Sequence, residues 1–244
     1  MDITNRRKSQ EEPTDLPDSV LLPDGPFPVT WRRSQRAKRF SLRLSRTGDS
    51  VTVTLPMRAS AQTGLKFLSE HRGWIAHQLQ RRPSPLRFEA GQYIPLNGVP
   101  HPIEHVPYAK GGAWIAEGQI HVSGNIEFLP RRVRDLLRRL ATVQFNDRVF
   151  QLATTTGLQP KAFTVRDTVS RWGSCTTSGR VMLTWRLVMT PPFVQDYVIL
   201  HELAHLKHHN HSAAFWALVD HICPCRNEAE QWLKAHGTAL MSAS

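Results

Sequence analysis

The residues best suited to do chemistry lie in the last third of the chain, in the run Tyr197–Trp216, YVILHELAHLKHHNHSAAFW. His201 and His205 stand four apart. On a helix that offset leaves two side chains about 40° apart around the axis, so both imidazoles can close on one ion. Glu202 follows the first histidine directly. There its carboxylate can sit beside a metal without filling a coordination position, and can take a proton from bound water. This is the physical content of the H-E-x-x-H pattern. Val198-Ile199-Leu200 before it and Leu203, Ala204 and Leu206 after it are apolar, which predicts that the pair faces a core.

A catalytic zinc takes three protein ligands and keeps a fourth position open for water, whose pKa falls to about 7. His211 follows His205 by six residues, the offset of the third histidine in the metzincin pattern. That pattern breaks its helix with a glycine at the eighth position, where this chain has His208. Asn210 tolerates left-handed backbone best after glycine and is expected to supply the turn. His211 would then be presented from a bend, with Ser212 opening the next helix. His208 or His209 in place of His211 stays open, as does a purely structural zinc. Structural sites favour cysteine, however, and have no use for Glu202. Tyr197, one turn before His201, either packs or donates to an oxyanion. His221 and His236 read as surface residues.

The elements that must position these groups suggest an α+β fold. Residues 1–28 carry five prolines and few large apolar groups, the composition of a disordered leader. A β-rich lobe is expected over 29–128 and a metallohydrolase domain over 129–244. In the lobe, Phe40, Leu42 and Leu44 alternate with polar residues, as do Val51, Val53 and Leu55, which reads as a hairpin through Thr47-Gly48-Asp49. Helical spacing follows over 60–82, with Ser60 as N-cap and Pro83 and Pro85 as the stop. Residues 86–128 read as a small irregular β region punctuated by Asn97-Gly98, Gly111-Gly112 and Glu117-Gly118. Pro130 opens a helix whose stripe is Val133, Leu136, Leu137, Leu140 and Gln144, and Gly157 closes it. Strands are expected around Phe163–Val165 and Val181–Leu187, with Ser178-Gly179 as a turn between them. Helices are expected from Phe193 to about His208, from Ser212 to Ile222, and from Asn227 to Leu240. No internal repeat is visible.

The net charge is +11, and it is uneven. Arg32, Arg33, Arg36, Lys38, Arg39, Arg43, Arg46 and Arg58 face only Asp49 across residues 31–58. Arg131, Arg132, Arg134, Arg138 and Arg139 form a second cluster beside Asp135. Such fields attract polyanions, nucleic acid or nucleotides, or else serve as solvated faces. Cys175, Cys223 and Cys225 are too few and too odd for a disulfide framework, which suits a reducing, cytoplasmic setting. Cys223-Pro-Cys225 is tighter than a redox or zinc C-x-x-C pair and reads as a helix-to-helix turn. The first residues lack the apolar core of a secretory signal. No run is long and apolar enough for a membrane span.

Three segments together resemble the YgjP-like metallopeptidase family, a zincin-type group related to SprT-like and Wss-like metalloproteases. They are RAKRFSLRL (Arg36–Leu44), SRWGSC (Ser170–Cys175) with the MLTWRLVMTPP that follows, and DYVILHELAHLKHHNHSAAFW (Asp196–Trp216). The likeness runs from about residue 29 onward. It implies His201, His205 and His211 as zinc ligands, Glu202 as catalytic acid/base, and a protein or peptide substrate. Thr184 and Cys225 depart from residues common in the family, and neither touches the proposed metal site.

In zincin-like sites an extended edge segment beside the metal pairs with substrate backbone. Trp172, Gly173 and Ser174 are candidates, Gly173 for close approach and Trp172 as a wall. Arg171 could hold a carboxylate, a phosphate or a developing oxyanion. The bland alternative is a hairpin packed under the helix. Beside a peptidase stand two other readings, a nucleoside triphosphate pyrophosphatase and a nucleic-acid-associated protease localised by its basic face. The chain has no Gly-rich phosphate loop, and phosphoryl hydrolases more often use carboxylate-bound Mg²⁺ or paired metals.

Overall fold

The computed structural model describes residues 16–45, 48–80 and 86–244. It is a mixed α+β chain with several small sheets and six helices. Two compact units divide it, Met1–Arg82 and Pro83–Ser244.

In the first unit, β1 (Ser19–Leu22) and β2 (Gly25–Ser34) form one hairpin. β3 (Ser41–Leu44) and β4 (Val51–Pro56) form a second, in the sheet order β1-β2-β4-β3. The leader expected over 1–28 is thus ordered from Ser19 on. Val20 and Leu22 alternate with exposed neighbours and are buried, which offsets the ordering cost that a polar leader cannot meet. Residues 1–15 lie outside the described residues, as do Arg46, Thr47, Pro83 and Pro85. The 40–55 hairpin forms in the register Ser41↔Thr54 to Leu44↔Val51, putting Val51, Val53 and Leu55 in the core.

The single helix read over 60–82 is two, α1 (Ala61–Glu70) and α2 (Arg72–Gln80). Ser60 caps the first by accepting from the Thr63 amide. The break falls at His71, whose Nδ1–H donates to the Phe67 carbonyl at 2.8 Å while its φ of −103° leaves the helix. Of the basic cluster, Arg33 serves the fold. Its Nη1 donates to the carbonyls of Met57 and Ala59 at 3.0 and 2.8 Å.

The second unit begins with β5 (Tyr93–Leu96), β6 (Val99–Val106), β7 (Ala113–Ala116) and β8 (Gln119–Ser123), in the order β5-β6-β8-β7. This region is regular rather than irregular. Asn97-Gly98 and Glu117-Gly118 both take positive φ and close two-residue hairpin turns, Leu96↔Val99 and Ala116↔Gln119. The sheet shares its core with the long helix α3 (Leu129–Thr156), so it belongs with the metal-site elements, not with a lobe ending at 128. Both four-stranded sheets also repeat one topology: two hairpins whose second strands pair in parallel. The repeat lies in the backbone path, and side-chain patterns do not show it.

Gly157 ends α3 at a φ of 73°. A three-stranded sheet follows, with β9 (Ala162–Arg166) parallel to β11 (Arg180–Thr184) and β10 (Gly173–Cys175) at the edge. β11 stops at Thr184, and Trp185–Met189 tightens into a 3-10 turn where a strand to Leu187 was expected. Three helices complete the unit, α4 (Pro192–Ala204), α5 (Ala213–Ile222) and α6 (Arg226–Met241). Arg148 of α3 holds Asp196 of α4 through two 2.6 Å hydrogen bonds. Gln144 reaches Asn97 at 2.8 Å and Gln195 at 2.6 Å, which explains a polar residue on an apolar stripe. Among the described residues no helix is long and apolar enough to cross a membrane.

Candidate metal centre

Helix α4 is buried over most of its length, so its last turn delivers His201 and Glu202 at the edge of the core. The helix ends at Ala204, short of the expected His208, and His205 caps it with helical φ and ψ of −65° and −16°. The following turn tightens through Leu206 N–H to the Leu203 carbonyl and His208 N–H to the Ala204 carbonyl. Asn210 does not supply the turn. No residue from 205 to 212 has positive φ, because the reversal is spread over the whole linker. Ser212 then caps α5 by accepting from the Phe215 amide.

His201, His205 and His211 come together. Each offers one ring nitrogen, and these nitrogens lie within 4.8 Å of one another. The Nε2 atoms of His201 and His211 are 3.2 Å apart. His205 donates Nδ1–H to the His208 carbonyl at 2.9 Å. That bond fixes the tautomer and leaves Nε2 bare toward the other two rings. Burial, together with the two neighbouring imidazoles, pushes the His201 pKa down to about 4. Burial likewise lowers that of His205. Neutral imidazoles with converging lone pairs are the donor set that a divalent cation of the zinc type takes. His208 contributes its carbonyl to this cluster, and its ring and that of His209 are not among the converging groups.

Phe215 is fully buried, with its ring centroid 5.0, 4.5 and 4.8 Å from those of His201, His205 and His211. It is a common floor for all three. Trp216 stacks on His211 at 5.4 Å. The sequence reading missed both, although their place three and four residues after the Ser212 cap could have flagged them. Tyr197 is a packing residue. Its ring meets His201 edge-on, and its hydroxyl donates to Glu230 Oε1 at 2.8 Å. Burial and that carboxylate both raise its pKa.

Glu202 is 7% exposed. Burial pushes its carboxyl up to about 7, against the pull of the Arg171 guanidinium. It borders a cavity of about 230 Å³ shared by Arg171, Trp172, Gly173 and His201. Arg171, Trp172 and Gly173, three of the four candidate substrate residues, therefore border the same cavity. Ser174 does not line that cavity. A Cβ on Gly173 would meet Glu202 Cγ at 2.5 Å, so strand and carboxylate touch only because residue 173 has no side chain. Cys175, two residues on, also feels Glu202. Its thiol is raised by burial first and by that carboxylate second. Cys223 and Cys225 lie between α5 and α6 as free thiols with sulfurs 3.5 Å apart, the turn expected of them. Burial and the Cys225 thiol push Cys223 up to about 12.

Among solved structures, the crystal structure of the metallopeptidase zymogen of Pyrococcus abyssi abylysin is similar over 37% of this chain and 91% of that one. The identity is 24% and the TM-score 0.34. No curated protein matches the chain. The family model described as YgjP-like, metallopeptidase domain, matches residues 38–236, a span that holds the three converging histidines, Glu202 and Gly173. The chain belongs to the YgjP-like metallopeptidase family.

Proposed function

We propose that this metallopeptidase is a zinc enzyme of the zincin type that hydrolyses peptide bonds, with His201, His205 and His211 as ligands and Glu202 as general base. The observation that carries the reading is the convergence of three imidazole nitrogens within 4.8 Å next to a buried carboxylate. When bound there, zinc would polarise the scissile carbonyl and acidify water. Glu202 accepts a proton from the attacking water and returns it to the leaving amine. Gly173 lets the backbone of β10 lie against that carboxylate, where an extended substrate can align with the edge strand. Arg171 stands at the same cavity and orients a substrate carbonyl or carboxylate.

The test measures metal content and casein hydrolysis together. His205→Ala is expected to lose stoichiometric zinc and activity. Glu202→Gln is expected to keep zinc and lose turnover, and persistent turnover in it would remove Glu202 as the base. A nucleoside triphosphate panel run beside casein tests the phosphoanhydride alternative. That alternative is disfavoured by a cavity whose walls supply Arg171 as the cation among mainly apolar side chains.

A further inference from the structure

We infer that the cavity beside Glu202 is a side-chain subsite that receives one large apolar residue of the substrate next to the scissile bond. The inference rests on the peptidase reading and goes beyond it by naming the substrate class. Position comes first: the cavity is bounded by both His201 and Glu202, so whatever fills it lies beside the bond being cut. Size comes second. At about 230 Å³ it falls below the ~300–1,000 Å³ of sites that take whole small molecules, and it suits a single side chain.

The walls supply the chemistry. Trp172 and Gly173 come from the edge strand and its approach, Tyr197 and Val198 from α4, and Leu233 from α6. Tyr197 offers its ring, since its hydroxyl is engaged by Glu230 at 2.8 Å. Trp172 is held in place by Gly237 of α6, where a Cβ would stand 3.3 Å from the indole. Arg171 is the charged wall, and it is placed to act on substrate backbone or a carboxylate rather than to fill the pocket. A leucine or phenylalanine side chain leaving water for such walls is worth about tenfold to a hundredfold in affinity over alanine.

The experiment uses the full chain, zinc-loaded, as the inactive Glu202→Gln variant. The ¹⁵N-indole signal of Trp172, assigned with Trp172→Phe, is followed while blocked peptides carrying Phe, Leu, Ala or Glu at one position are added. The Phe and Leu peptides are expected to shift that signal with a Kd at least tenfold below those of the Ala and Glu peptides. Leu233→Trp, which fills the cavity, is expected to remove the preference while zinc content is retained. Equal affinities across the set, or no response of Trp172 to the Phe peptide, would overturn the subsite. The same peptides are offered to the unmodified enzyme. Selective binding without any cleavage would sink the peptidase reading and, with it, the place beside a scissile bond, leaving only an apolar side-chain pocket.

Discussion

A methyl added at Gly173 would stand 2.5 Å from Glu202 Cγ and 2.6 Å from its Oε1. Real side chains do not approach so closely, and the carboxylate is buried, so either strand β10 or Glu202 must move. Displacing the proposed base by about 1 Å would cost on the order of a hundredfold in rate. Gly173→Ala is therefore expected to lower kcat at least tenfold with zinc still stoichiometric. Overpacking of this kind also destabilises by about 1–3 kcal/mol, which a thermal melt measures. If kcat is unchanged, the contact does not position the carboxylate. The sequence marked this glycine for close approach of substrate backbone, and the approach the structure gives it is that of Glu202. Ser174 beside it does not line the cavity, and which side chains of a three-residue strand do so depends on its partner β11 and not on its own pattern.

At the scale of elements, one side chain ties the three C-terminal helices to the histidines. Arg226, opening α6, donates Nε–H to Glu230 at 3.0 Å and Nη1–H to Asp220 of α5 at 2.7 Å. Its guanidinium lies 4.1 Å over the Trp216 ring, and Trp216 stacks on His211. Glu230 in turn accepts from Tyr197, whose ring edges His201. Two of the three imidazoles are thus held from behind by contacts that meet at Arg226. Groups that orient metal ligands commonly matter by about 10–100-fold in metal affinity. Arg226→Gln is expected to weaken zinc retention against a competing chelator by that order, and Arg226→Lys by less. Unchanged zinc affinity in Arg226→Gln would make the network structural only. Helix α4 and the His spacing were legible because they are local in sequence, whereas its end at Ala204 was not, because no single residue marks it. The Arg226 network was not, because it joins residues whose meeting depends on how three helices cross. The same reason hid Leu233 and Gly237 from the sequence reading of the cavity.

At the scale of the whole second unit, stability and acid sensitivity converge on Arg186, which sequence alone offered as one basic residue among many. It is 5% exposed and lies 4.3 Å over the Trp185 ring. Its Nη2 donates to the Ala243 carbonyl at 3.2 Å, and its Nη1 pairs with Asp167. The pair thereby links the segment after β11, the loop after β9 and the residues that follow α6. Burial alone would raise the Asp167 carboxyl, but Arg186, with smaller contributions from Trp185 and Arg138, outweighs it, and the net pKa is lowered. A depressed carboxyl stabilises the fold at pH values above its unfolded pKa, and that contribution is lost as pH falls through the folded value. Asp167 is 40% exposed on its side chain, so solvent screens the effect. Asp167→Asn is nevertheless expected to lower stability at neutral pH by about 1 kcal/mol, below the usual worth of a hydrogen bond to a charged group because the pair is partly screened. Other carboxylates titrate alike in both proteins, so the difference between their melting temperatures isolates this pair. That difference is expected to be constant from neutrality down to the ordinary carboxylate range and to shrink below it, as the native Asp167 takes up its proton. A gap that persists undiminished to pH about 2, well under the unperturbed Asp value, would mean that Asp167 contributes by shape and neutral hydrogen bonding, and that its charge is not what holds Arg186 in the core.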